Sequence, residues 1–144
     1  MKKNIFIEGA ISPEFIAESI AKHQTKMNIG AHNIFLGQVR ADELENNKVA
    51  AIEYTTYKEM AEEKLLEIRE RAFEKYDLTC MHIYHSLGLI REGEICLFVF
   101  VSSKRRKQVY EATADIVNMV KSEVPIFGKE IFENEEYQWK VNTF

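Results

Sequence analysis

The chain has 144 residues, of which 46% are hydrophobic and 29% charged, with a formal net charge of −4. That is one domain's worth of polypeptide, 1–144, long enough to bury a core without disulfides or metals. The acidic balance argues against a nucleic-acid binder, which needs surplus positive charge to release counterions. No stretch is apolar for long enough to span a bilayer, so no membrane role and a cytoplasmic location are expected.

In chain order, residues 4–8 alternate as a strand, and Ser12-Pro13 supplies a cap followed by the proline favoured at the first helical position. Ile16, Ile20 and His23 then recur at helical spacing, which makes His23 a helix-face residue rather than a ligand. Residues 31–40 read as a strand, 41–48 as a mobile polar loop and 49–57 as the next strand. Over 58–76, Ala61, Leu65, Ile68 and Ala72 mark one face of a long amphipathic helix. Strands are predicted at 79–85 and 94–102, the second so continuously apolar that it belongs at the centre of a sheet, with Gly88 and Gly93 punctuating the connection. A third helix spans 104–124 through the stripe Val109, Ala112, Ile116 and Val120. Pro125 ends it, Ile131-Phe132 reads as a strand, residues 133–136 form an acidic turn, and a final strand ends at Val141. Strands interleaved with helices around a hairpin-like pair give an α/β fold of the α+β sandwich type, with helices packed on the sheet.

Candidate chemistry gathers in a few places. Lys121 and Lys129 flank the turn at Pro125, which directs both ammonium groups toward one rim. A lysine destabilised as a cation by a like charge or by burial becomes a base or nucleophile near neutral pH. The competing reading is a solvated helix end with lysine favourably set against the dipole, and spacing alone favours that one. Arg40 ends a strand just before a loop, where a guanidinium faces an open site from a fixed base. The run Lys104-Arg105-Arg106-Lys107 opens the third helix, concentrating positive charge against the dipole, a cost that an anionic ligand would offset. His82 and His85 fall on opposite faces of their strand and cannot chelate together, His32 is isolated, and Cys80 and Cys96 lie in apolar runs as buried thiols. No metal site and no cofactor are expected.

The segments Gly30 to Arg40, His85-Ser86-Leu87-Gly88 with Gly93-Glu94, Ser102 to Lys107, and Lys121 to Glu130 occur in an order that resembles the catalytic (large) subunit of molybdopterin synthase. The resemblance runs from about Ile5 to Trp139. It implies a mixed sheet with a small antiparallel subdomain, and a homodimer within a heterotetramer. It further implies two ligands: cyclic pyranopterin monophosphate, and a ubiquitin-like small subunit whose Gly-Gly tail ends in a thiocarboxylate that donates sulfur to form the dithiolene. By the same resemblance Lys121 and Lys129 are catalytic. Gln38, Val39, Arg40, Arg105, Arg106, Lys121, Gly128, Lys129 and Glu130 contact substrate. The family carries lysine at position 128, usually histidine at 105 and arginine after His85, where this chain has Gly128, Arg105 and Ser86. Either Lys129 takes over the missing lysine's place, or the chain is a catalytically weakened member acting as a pterin- or partner-binding protein.

Overall fold

The computed structural model describes residues 5–141. Its elements are β1 (Phe6–Glu8), α1 (Pro13–His23), β2 (Ala31–Gln38), β3 (Glu43–Leu44), β4 (Asn47–Thr56), α2 (Lys58–Lys75), β5 (Cys80–Arg91), β6 (Ile95–Ser103), α3 (Arg106–Glu123), β7 (Ile126–Phe132) and β8 (Tyr137–Trp139). They form an eight-stranded sheet in the order β2-β6-β5-β4-β7-β8, with β1 added beside β5 and β3 beside β4. Among the described residues only the β1–β5 strand pairing is parallel, so the expected α+β arrangement of helices on a mixed sheet is what folds.

Local chemistry accounts for the helix starts. Ser12 accepts from the amide of Phe15 at 3.1 Å and Pro13 occupies the first turn of α1. By contrast the N-cap residue of α3, Arg105, makes no side-chain capping hydrogen bond, and no acidic residue stands in the first turn.

The central strands sort their side chains by parity. Leu97, Val99 and Val101 of β6 join Met81 and Ile83 of β5 in a core roofed by α2 and α3. Phe98 and Phe100 turn the other way and pack, fully buried, beneath Phe15, Ile16 and Ile20 of α1. Burying a phenylalanine side chain contributes about 1.5–3 kcal/mol, so these two dominate that smaller layer. A third cluster, built from Val39, Val49, Ile52, Tyr54, Ile90 and Phe132, holds the β4–β7 region together.

Several sequence expectations are corrected. Residues 41–48 are no open loop: β3 and β4 pair as a hairpin whose turn puts Glu45 and Asn46 at positive φ, a conformation asparagine tolerates. Strand β5 runs straight through Ser86-Leu87-Gly88, because its first part pairs with β6 and its last part, Gly88 to Arg91, with β4. Gly88 sits at the change of partner with φ +87°, a conformation that favours glycine. Strand β7 starts immediately after Pro125, five residues earlier than Ile131, because pairing with β4 extends it. The Asn4 start and the extreme C-terminus fall outside the described residues. Finally, Cys80 and His82 share the α1 face of β5, where they meet His23, so three potential metal ligands converge where none was expected.

Candidate active site

Helix α3 delivers Lys121 in its last turn, and the backbone then reverses through Pro125, whose carbonyl accepts from the Thr56 hydroxyl at 2.7 Å. Beside this turn lies a cavity of about 400 Å³ lined by Gln38, Tyr54, His85, Cys96, Lys121 and Lys140, among others. Apolar walls come from Val120, Val124 and Ile126, and Phe127 and Trp139 stand half-exposed.

A β-bulge shapes one wall. Between Gly37 and Gln38 the β2–β6 register jumps from Leu97 to Ile95, leaving Cys96 as the extra residue. Such a bulge re-aims a side chain, and here it brings both Gln38 and Cys96 to the cavity. The Cys96 thiol donates to the Gly37 carbonyl at 3.4 Å and accepts from the Tyr54 hydroxyl at 3.5 Å. Cys96 is therefore a buried thiol as expected, and also part of the site.

The electrostatics are those of a basic, partly dry pocket. Burial pushes the Lys121 ammonium below the ordinary lysine range, and the neighbouring charge of Lys140 pushes it further. His85 is buried and donates through Nδ1–H to the Ser86 carbonyl at 2.7 Å, since a carbonyl only accepts. Burial, reinforced by Lys121 and Lys140, lowers its pKa to about 4, so it is a neutral imidazole at pH 7. Its ring meets Tyr54 edge-on at 4.9 Å. Burial, with Cys96 and Glu130 nearby, raises the Tyr54 phenol far above its usual range, so it stays protonated.

The predicted residues divide sharply. Gln38, Lys121 and Gly128 line the cavity. Glu130 shares the face of Gly128, is buried, and accepts from the Gln138 amide at 3.2 Å. Arg40 stands exposed outside the cavity, held to Asp42 through Nε at 2.5 Å and Nη2 at 3.2 Å. Val39 is fully buried, its amide and carbonyl spent on Glu94 and Gly93, so it offers a substrate no polar group. Arg105 and Arg106 begin α3 while Lys121 ends it, a separation of about 22 Å at 1.5 Å per residue.

Lys129 is the principal correction. Strand parity turns it to the face opposite Gly128, where its ammonium lies 3.5 Å from Glu53 and 4.8 Å above the Tyr137 ring. It does not stand beside Lys121. The cation that does is Lys140, which follows β8 and whose amide donates to the Gly128 carbonyl at 2.8 Å. Gly128 has no need of a left-handed backbone. A Cβ there would meet Ile52 at 3.1 Å and the Tyr54 ring at 3.2 Å, so the tyrosine ring occupies the space a side chain would take. Sequence reasoning missed Lys140, Tyr54 and His85 as pocket residues. The only signal for Lys140 was its place at a strand end, and its neighbour across the sheet is set by the β7–β8 register.

The family model described as MoaE protein matches residues 10–123. The molybdopterin synthase catalytic subunit of Bacillus subtilis is 37% identical over 123 residues, 85% of this chain and 76% of that protein. That of Aspergillus fumigatus is 33% identical over 121 residues, 84% of this chain, which spans 64% of the longer fungal protein. The crystal structure of molybdopterin synthase from Staphylococcus aureus superposes with a TM-score of 0.83 and 30% identity, covering 99% of both chains. Agreement in sequence over most of the chain, and in fold over nearly all of it, makes this protein a member of the MoaE protein family.

Proposed function

We propose that this chain is the large, catalytic subunit of a molybdopterin synthase. It transfers sulfur from the thiocarboxylated Gly-Gly tail of a ubiquitin-like small subunit to cyclic pyranopterin monophosphate, forming the dithiolene. The observation that carries this reading is Lys121, half-buried at the end of α3, with its proton affinity lowered by burial and by Lys140, in a cavity able to take a small anionic ligand. Such a lysine serves as acid, base or transient nucleophile. Neutral His85 and protonated Tyr54 add hydrogen-bonding groups without cancelling the positive charge.

Arg105 and Arg106 lie too far along α3 to serve the same pocket as Lys121 within one chain. They fit the reading as contributions to the pocket of a second copy, in a homodimer that carries two small subunits as a heterotetramer. Arg40 fits as a rim residue that exchanges Asp42 for the substrate phosphate, since an exposed ion pair contributes only about 0–1 kcal/mol. Residues 1–144 act as one domain in this reading. The free thiols of Cys80 and Cys96 suit the cytoplasm.

A weakened, binding-only member is the second reading, motivated by Gly128. Lys140 weighs against it, because the pocket retains two cations. The deciding experiment incubates the purified chain with thiocarboxylated small subunit and precursor, and measures dithiolene formation. Turnover supports the enzyme; binding of both ligands without turnover supports the second reading.

A further inference from the structure

The other face of β5 carries a cluster that the sulfur-transfer site leaves unused. Cys80 and His82, two residues apart on one strand, point to the same side, and His23 reaches them from the last turn of α1. Their ligand atoms all lie within 4.8 Å of one another. We propose that His23, Cys80 and His82 form a binding site for a borderline-soft transition-metal ion of the zinc class, pinning the C-terminal end of α1 to the sheet.

The surroundings suit a built site. His23 donates through Nδ1 to the Ser19 carbonyl at 2.7 Å, which fixes the tautomer and leaves Nε2 as the ligating nitrogen. Orientation of an imidazole by a carbonyl on its other nitrogen is the usual support of a metal-bound histidine. The His23 ring is clamped between Phe100, stacked at 4.6 Å, and His82, edge-on at 4.7 Å. The site lies at the C-terminal end of α1, where the partial negative charge of the helix dipole favours a cation. One thiolate with two imidazoles is a donor set that suits zinc, with a fourth position open to water.

Metal–nitrogen bonds of about 2.0–2.1 Å and metal–sulfur bonds of about 2.3 Å require the three atoms to draw together by roughly 1 Å. Closing the site therefore needs His23 and His82 to turn toward the thiol. Lys26 now covers the thiol, its ammonium 2.8 Å from Cys80 Sγ. A metal would displace it, and because Lys26 is an exposed side chain its departure opens the path by which an ion enters.

The test titrates Co²⁺ into protein carrying no polyhistidine tag, followed by competition with Zn²⁺. One tight equivalent should give the visible bands of a tetrahedral site together with near-ultraviolet thiolate-to-metal charge transfer, and Zn²⁺ should abolish both. Cys80→Ser should remove the charge transfer, and His23→Ala or His82→Ala should weaken binding by about 10–100-fold or more. Cys96→Ser should leave the spectrum intact. Zn²⁺ should also raise the melting temperature of the wild type but not of Cys80→Ser, with circular dichroism confirming that each variant is folded. Absence of charge transfer with excess Co²⁺, its survival in Cys80→Ser, or weak binding indifferent to all three ligand variants would overturn the proposal.

Discussion

At the N-terminal end of α3, Arg105 and Arg106 stand exposed against backbone amides that repel them, whereas at the C-terminal end Lys121 is half-buried against carbonyls that attract it. Both ends carry basic side chains, and by count the first is the richer. At the second, burial and a second ammonium act together to lower the proton affinity of Lys121. Charge at the first end can serve binding; charge at the second can serve chemistry. Residue type shows where cations gather, and environment decides what they do.

The largest effect that separates the two ends is expected from Lys121→Ala. Loss of a positioned acid or base costs about 10²–10⁴-fold in rate, with the fold intact by circular dichroism. Near-normal dithiolene formation by this variant would remove Lys121 from the chemistry. Arg106→Ala should instead weaken precursor binding while sparing the single-turnover rate at saturation, as measured by calorimetry and rapid quench. Mixing Lys121→Ala and Arg106→Ala protomers should give mixed dimers with one pocket of wild-type affinity and rate, if each pocket draws the two residues from different copies.

His85 sharpens the same contrast through stability. Its folded pKa of about 4 lies below the ordinary 6.5, so between these values the unfolded chain binds a proton that the folded chain refuses. The stabilisation is present above pH 6.5 and is lost as pH falls toward 4, by roughly 3 kcal/mol in all. Urea denaturation across that range should show the slope, and His85→Gln should flatten it. Gly128→Lys, which restores the family's residue, should not restore function. It should displace the Tyr54 ring and cost about 1–3 kcal/mol in the same assay.

The smallest effect belongs to Lys129. Its pair with Glu53 is partly exposed, so Lys129→Ala should lower stability by less than about 1 kcal/mol. Lys140→Ala should impair turnover more than Lys129→Ala, because it removes the charge that acts on Lys121. The reverse ranking would reinstate Lys129 as the second pocket lysine.

Much of the fold was legible because period-2 and period-3.6 patterns mark strands and helices directly, as in Ile95 to Ser103 and in α2. Lys121 was legible too, since the helix end and Pro125 fix its position locally. The rest depended on pairing across long sequence separations. Parity turns Lys129 away from the cavity once β7 starts at Ile126, and Lys140 enters through the β7–β8 register. His23, Cys80 and His82 were each readable alone as core residues, and only the packing of α1 on β5 brings them together.

The apposition of Tyr54 and Gly128 has a consequence for the order of events in folding. These partners are 74 positions apart in the chain, and the pairing of β4 with β7 builds one wall of the cavity. Contacts of such long sequence separation form only after a large loop has been closed, so they arrive late. Helix α3 can therefore present Lys121 well before the pocket around it exists. A chain competent to hold its ligands is one that has completed this long-range pairing, and ligand binding reports that the β4–β7 wall is in place.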